Sequence, residues 1–297
     1  MKSPNFGYMR AQSLRQACEV LAAHDGEAVA IAGGQSLLAG LNMRLSSPRL
    51  LVDIGDLPEL AVTRFGPEEI RLGASTRHVQ ILESDELARA VPLLPLAVSH
   101  VAHAAIRNRG TLGGSLAYAD PAAELPACAV ALDATVVVAG RDGERDIKAA
   151  DFFTGLMQTA LAPGEIIVAL RIPVPLTATR FAFGEFARRH GDFAVAGLAA
   201  AAVMERDRIL QARVVYFGCV DRAKIAREVS AALAGATLPP RDTTAIMAAV
   251  ERDLDPDGIP GWRADTLLAL AKVLTGRALG QLEHGMDGHG MDKHGAH

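Results

Sequence analysis

Residues 107–127 read RNRGTLGGSLAYADPAAELPA, and the fold turns on how this stretch is parsed. Just before it, Pro95 to Arg107 carries an apolar helical pattern that closes at Gly110, a natural C-terminal cap. Thr111-Leu112-Gly113-Gly114-Ser115 then reads as a glycine-rich loop, and Pro121 opens a helix running through Leu132. Paired glycines let backbone amides approach an anion closely, and the flanking hydroxyls add donors. Asp120 and Glu124 follow at once. Beside such a loop they suit hydrogen bonding to a ligand better than acid–base hydrolysis.

A second glycine pair, Ala32-Gly33-Gly34-Gln35-Ser36, lies some eighty residues upstream, directly after the apolar run Ala28 to Ala32. One Gly-Gly alone is ordinarily a turn. Two of them, each with a hydroxyl in place, are spaced to clamp the two phosphates of a dinucleotide from both sides. Neither fits GxGxxG or GxxxxGK[ST], which argues against a Rossmann NAD domain and a P-loop NTPase.

Outward from these loops the pattern alternates. Ser13 caps a helix through Leu14, Ala17, Cys18 and Leu21, and Leu50 to Ile54 and Ile70 to Ala74 read as strands. Thr76 caps a short helix through Leu82. Thr135 to Ala139 forms a hairpin across Asp142-Gly143, and the strand Ile166 to Ile172 ends at Pro173 and Pro175. That Pro-x-Pro marks a domain boundary, which predicts residues 1–175 and 176–280 as separate units, the first split near 57 and 58. Beyond it come strands around Phe181 and Phe183, Val195 to Val203 and Ile209 to Phe217. Helical patterns follow at Ala223 to Leu233, Thr243 to Leu254 and Trp262 to Leu279. Strands and then helices give an α+β class. The last 17 residues, 281–297, hold four Gly and four of the nine His and read as a disordered tail.

With 297 residues, half of them apolar, the chain can bury a sizeable core. Thirty basic against thirty-four acidic side chains and 4% aromatics argue against nucleic acid as a partner. Cys18, Cys128 and Cys219 lie far apart with no CxxC, so neither a zinc nor an iron–sulfur site is encoded within this chain. No apolar leader and no long uncharged apolar run is present, which predicts a cytoplasmic protein without a membrane span.

The strings IAGGQSLLAGLNMRL (31–45), RNRGTLGGSLAYADPAAELPA (107–127) and FARRHGDFAVAG (186–197) resemble the FAD-binding medium subunit of molybdenum hydroxylases, the family of xanthine and carbon monoxide dehydrogenases. The resemblance extends to about Gly280. It implies a two-subdomain FAD-binding domain of the vanillyl-alcohol-oxidase/PCMH type followed by a C-terminal α+β domain. It implies FAD on Ala32 to Ser36, with Ile31 and Leu37 flanking, and on Thr111, Gly113, Gly114 and Ser115. Asp120 and Glu124 would meet sugar or ribityl hydroxyls, Leu161 would pack on a ring, and Arg188 to Asp192 would lie near the isoalloxazine edge. Glu185 stands where many relatives carry a lysine close to the flavin, and Gln35 and Ser115 replace a common histidine and asparagine. The partners implied are a small subunit with [2Fe–2S] clusters and a large subunit with the molybdopterin cofactor, assembled as a dimer of heterotrimers. A second resemblance, to the self-sufficient FAD-dependent UDP-N-acetylenolpyruvoylglucosamine reductase, lacks that family's downstream serine and glutamate.

Other candidates read plainly. His100, His103 and Arg107 fall on one helix face by spacing, which suits a solvated face rather than a metal site. Arg188, Arg189 and His190 make a surface turn, and Ser36 and Ser115 lack the GxSxG elbow of a hydrolase. The histidines His284, His289, His294 and His297 suit adventitious metal binding only.

Overall fold

The computed structural model describes residues 3–257 and 259–285. Its N-terminal layer is a three-stranded parallel sheet in the order Gly7–Arg10, Leu50–Asp53, Ala28–Ile31. Helix Leu14–Ala23 crosses it, and the Ser13 hydroxyl accepts from the Gln16 N–H at 3.2 Å, the expected N-cap. Ala17, Cys18 and Leu21 on its inner face meet Val137, Ala139, Ile166 and Val168 of a second sheet. The strand Gly7–Arg10 escaped the sequence reading, because four residues with one partner carry no period.

That second sheet is antiparallel, in the order Arg64–Phe65, Glu69–Gly73, Ile166–Pro173, Thr135–Gly140, Gly143–Lys148. Its last two strands form the expected hairpin, in which Gly143 supplies a φ of +116°. The sheet's other face packs on helices Leu93–His100, Leu112–Tyr118 and Glu124–Ala131. Every residue of Glu124–Ala131 is buried, since Phe181, Phe183, Val215 and Phe217 of a third sheet close over its far side.

The third sheet runs Thr179–Ala187, Ala194–Glu205, Arg208–Phe217, Lys224–Ile225, all antiparallel. Alanines dominate its second strand because both faces are covered. Ala199 points into the helix-filled core, while Ala196, Ala200 and Ala202 point at helices Arg227–Leu233, Thr244–Asp253 and Ala264–His284. Small side chains let both layers approach. Gly197 leaves room for the Phe217 ring, which a methyl group there would penetrate.

Several expectations are corrected. The single helix Pro95 to Arg107 is two, Leu93–His100 and Ala104–Arg107, broken by extended Val101 and by Ala102 at φ +44°. Arg107 pins the break, donating from Nη1 to the carbonyls of Val101 and Ala102 at 2.9 Å each. His100 therefore shares no helix face with His103 and Arg107. The helix His78–Leu82 is capped at Arg77, not Thr76, with the Arg77 N–H donating to Gln80 Oε1 at 2.7 Å. Helix Ala264–His284 continues past Leu279, so 281–284 are helical, and residues 286–297, with His289, His294 and His297, lie outside the described residues.

Candidate functional site

A cleft of about 750 Å³ opens between the parallel sheet and the helices above the antiparallel sheet. Strand Ala28–Ile31 delivers Ala32 to Ser36 to one wall, and helix Leu112–Tyr118 forms the other. Of the residues expected at a site, Ile31, Ala32, Gly33, Gly34, Gln35, Ser36, Leu37, Thr111, Gly113, Gly114, Ser115, Asp120, Glu124 and Leu161 all line this cleft.

Their chemistry is less symmetric than two matching loops. Gly34 takes φ +72°, and the chain then turns directly into helix Leu37–Asn42, with Leu38 and Gly40 donating to the carbonyls of Gly34 and Ser36 at 3.0 Å. The N–H groups of Gln35, Ser36 and Leu37 find no acceptor among the described residues, and the Ser36 hydroxyl makes no cap bond. Gln35 folds back instead, donating from Nε2 to the Gly33 carbonyl at 2.8 Å. This wall offers free donors.

The opposite wall is no loop. Thr111 caps a helix whose first turn contains both glycines, and its amides are already used. Leu112 donates to Thr76 O at 2.9 Å, Gly113 to Ala74 O at 2.8 Å, Gly114 to Thr111 Oγ1 at 3.1 Å and Ser115 to Thr111 O at 3.0 Å. What this wall presents to the cleft is the Ser115 side chain and a small, smooth surface. Its glycines are packing residues: a methyl group on Gly113 would sit 2.6 Å from the Ala74 Cβ. Gly33 likewise backs onto Arg109 and Gly110, with an added methyl 3.0 Å from the Gly110 Cα. The two glycine segments thus touch each other at the cleft's waist.

Carboxylates line one end. Burial raises the Asp120 carboxyl, opposed by the Ala122 N–H donating to Oδ1 at 2.9 Å. Glu124, 8% exposed, is pushed up to about 8 by burial first, with Glu185 and Asp120 adding to it. Leu21, Ala28, Leu161 and Ile166 add apolar surface to the lining.

Glu185 is not part of the lining. Its side chain is only 4% exposed, with Oε1 3.3 Å from His100 Nδ1. The structure does not bring Glu185 into the lining with the other expected residues. Of the string Arg188 to Asp192, Gly191 and Asp192 reach the cleft together with Phe193, while Arg188 turns outward over Trp262 at 5.4 Å.

Sequence reasoning missed His78 and Phe193. His78 lines the cleft, 5% exposed, with neither ring nitrogen hydrogen-bonded among the described residues, and burial holds its pKa down to about 4. No spacing signal announced it, since its role depends on Gly110 lying against the ring. Phe193 is large, apolar and 73% exposed at the rim, the kind of residue that one sequence cannot separate from ordinary surface. Among the described residues no group of three or more His, Cys, Asp or Glu is placed to hold a metal, and no helix is long and apolar enough to cross a membrane.

The lining combines apolar side chains, the unpaired amides and hydroxyl of Gln35 to Leu37, and the carboxyls of Asp120 and Glu124, a set of groups that suits a dinucleotide. Comparison with known proteins agrees. Residues 4–175 match the family model of the FAD binding domain in molybdopterin dehydrogenase, and residues 181–282 that of the CO dehydrogenase flavoprotein C-terminal domain. The 6-hydroxypseudooxynicotine dehydrogenase complex subunit alpha of Paenarthrobacter nicotinovorans is 38% identical over 94% of this chain and 96% of that protein. The carbon monoxide dehydrogenase medium chain of Afipia carboxidovorans is 32% identical over 79% and 81%. Among solved structures, quinoline 2-oxidoreductase from Pseudomonas putida 86 superposes with a TM-score of 0.87 at 38% identity, covering 96% of this chain and 99% of that one. The carbon monoxide dehydrogenase of Hydrogenophaga pseudoflava gives 0.91 at 31%, covering 94% and 98%. The UDP-N-acetylenolpyruvoylglucosamine reductase reading is not favoured by any of these. The chain belongs to the FAD-binding subunits of the molybdenum hydroxylase family, oxidoreductases whose relatives include the xanthine and carbon monoxide dehydrogenases.

Proposed function

We propose that the chain is the flavin-carrying electron-transfer subunit of a heterotrimeric molybdenum hydroxylase. Electrons would arrive from [2Fe–2S] clusters in a small subunit, drawn from a molybdopterin centre in a large one, and leave through FAD to an external acceptor. FAD supplies the redox chemistry when bound; the chain binds, orients and shields it.

The observation that carries this reading is the unpaired donor set at the cleft's waist. The N–H groups of Gln35, Ser36 and Leu37 with the Ser36 hydroxyl would hold the pyrophosphate, and Ser115 would donate from across the cleft. Leu161 would pack on one ring, and Asp120 and Glu124 would accept from hydroxyls. Units of 1–175 and 176–280, a dimer of heterotrimers and a cytoplasmic site complete the proposal. The test is isolation of the tagged chain from its own cells. An iron–sulfur polypeptide and a molybdenum polypeptide should accompany it; a flavin-loaded chain recovered without either would contradict the assignment.

A further inference from the structure

Leu161 reaches the cleft beside a tight turn. Ala162, Pro163, Gly164 and Glu165 close that turn, with the Glu165 N–H donating to the Ala162 carbonyl at 3.0 Å. Pro163 and Gly164, the latter at φ +84°, take the two central positions, the pattern of a type II turn. A methyl group on Gly164 would sit 2.7 Å from the Ala22 Cβ, so the turn is seated against the end of helix Leu14–Ala23. Leu161, Pro163, Gly164 and Glu165 all line the cleft.

Glu165 borders the cleft, yet its carboxylate is occupied within the fold. Oε1 accepts from Arg145 Nε at 2.6 Å, and Oε2 accepts from Arg145 Nη2 and from the Ala162 N–H at 2.7 Å each. Arg145 Nη2 also donates to the Ala160 carbonyl at 2.9 Å. The guanidinium thus holds the chain on both sides of Leu161, through Ala160 before it and Glu165 after it. Its planar fork meets the carboxylate with two parallel bonds, which fixes direction as well as distance. Arg145 itself sits on the strand Gly143–Lys148 at the sheet's edge, with a side chain 48% exposed, and does not line the cleft. An ion pair that exposed adds little to global stability. All three of its hydrogen bonds end on the segment that carries Leu161.

We propose that Arg145 is a positioning residue for the cleft's ligand: by clamping residues 160–165 through Glu165 it fixes Leu161 against a ring of FAD and so sets the affinity. The proposal rests on the reading that the cleft holds FAD with Leu161 packed on a ring. Without the clamp, this segment must be ordered at the moment of binding, and the cost of ordering it is subtracted from the affinity. Arg145 touches no ligand and acts only through the turn.

The test is titration of the full flavin-free chain with FAD, followed by flavin fluorescence. Arg145→Ala should weaken binding about tenfold, and Arg145→Lys, which keeps the charge but not the fork, should weaken it in the same direction. In a Leu161→Ala background both substitutions should change the affinity by less than about twofold, because the side chain they position is gone. Arg252→Ala breaks a comparably exposed ion pair with Glu228, at 3.3 Å and between helices that do not line the cleft, and should leave FAD affinity unchanged. Unchanged affinity in either Arg145 variant, a loss additive with that of Leu161→Ala, or an equal loss in Arg252→Ala would overturn the proposal while leaving the cofactor reading in place. A wild-type chain that takes up no FAD would overturn the cofactor reading and this proposal with it.

Discussion

Gly33 packs directly against the backbone of Arg109, so that a methyl group added to Gly33 would run into the Arg109 carbonyl oxygen. The Arg77 guanidinium donates to that same oxygen. Two segments far apart in sequence are thus joined where the cleft narrows. Gly33 and Gly110 both line the cleft, so a side chain at Gly33 would disturb its wall. Gly33→Ala must push the walls apart. It is expected to cost about 1–3 kcal/mol of stability, with loss of flavin retention. Gly276→Ala is the matching control, because a methyl group there meets nothing within 4 Å and the site is mid-helix. It should gain up to about 1 kcal/mol. Thermal unfolding and flavin content of both variants check the contrast.

The two walls should respond differently to losing a hydroxyl. Thr111→Ala removes an N-cap bond to Gly114 and is expected to lower stability by about 1 kcal/mol. Ser115→Ala removes no hydrogen bond among the described residues. It should leave the unfolding midpoint unchanged and weaken FAD binding by about 0.5–1.5 kcal/mol. Urea unfolding beside calorimetric titration of flavin-free protein separates the two effects.

In the C-terminal half the Tyr216 hydroxyl meets Thr275 Oγ1 at 2.6 Å inside the core, and Thr275 donates on to Ala271 O at 2.8 Å. Tyr216 is therefore the donor to Thr275. Thr275→Val strands the buried phenol and should cost about 1–3 kcal/mol. Tyr216→Phe leaves the Thr275 bond to Ala271 intact and should cost less. The ordering of the two midpoints in urea is the check, and a larger loss for Tyr216→Phe would reverse the assignment.

Glu124 gives the fold a definite pH dependence. Its folded value of about 8 lies above the ordinary 4.5, so the native state holds a proton that the unfolded chain releases between these values. Stability then falls as pH rises through that window and levels off above it. Glu124→Gln should flatten this loss, with a gain on the order of 3–5 kcal/mol at pH 9 and almost none at pH 4.5. His78 acts in the opposite sense. Its value is lowered from 6.5 to about 4, so its contribution disappears as pH drops through that range. Unfolding curves of wild type, Glu124→Gln and His78→Phe from pH 4.5 to 9 test both signs.

Much of this was legible in the sequence because the signals were local. The Ser13 cap, the hairpin at Gly143 and the strand leading into Gly33 each depend on a few adjacent residues. The cleft's lining followed from the two glycine strings. What stayed hidden depends on distant partners. Two glycines in a row read as a loop, yet Thr111 and the carbonyls of Ala74 and Thr76 hold them in a helix. The break at Ala102 exists because Arg107 folds back onto it and Gly191 packs against it from another domain-sized segment. Glu185 lies on a strand whose alternation puts it inward, and only His100, on a helix far upstream, explains where its carboxyl goes.

The measurement that bears most directly on the central claim is the visible absorption spectrum of the purified chain before and after dithionite. Flavin bands that bleach on reduction, at one FAD per chain and with no iron–sulfur absorbance, are the predicted result. A colourless protein that takes up no added FAD would contradict it.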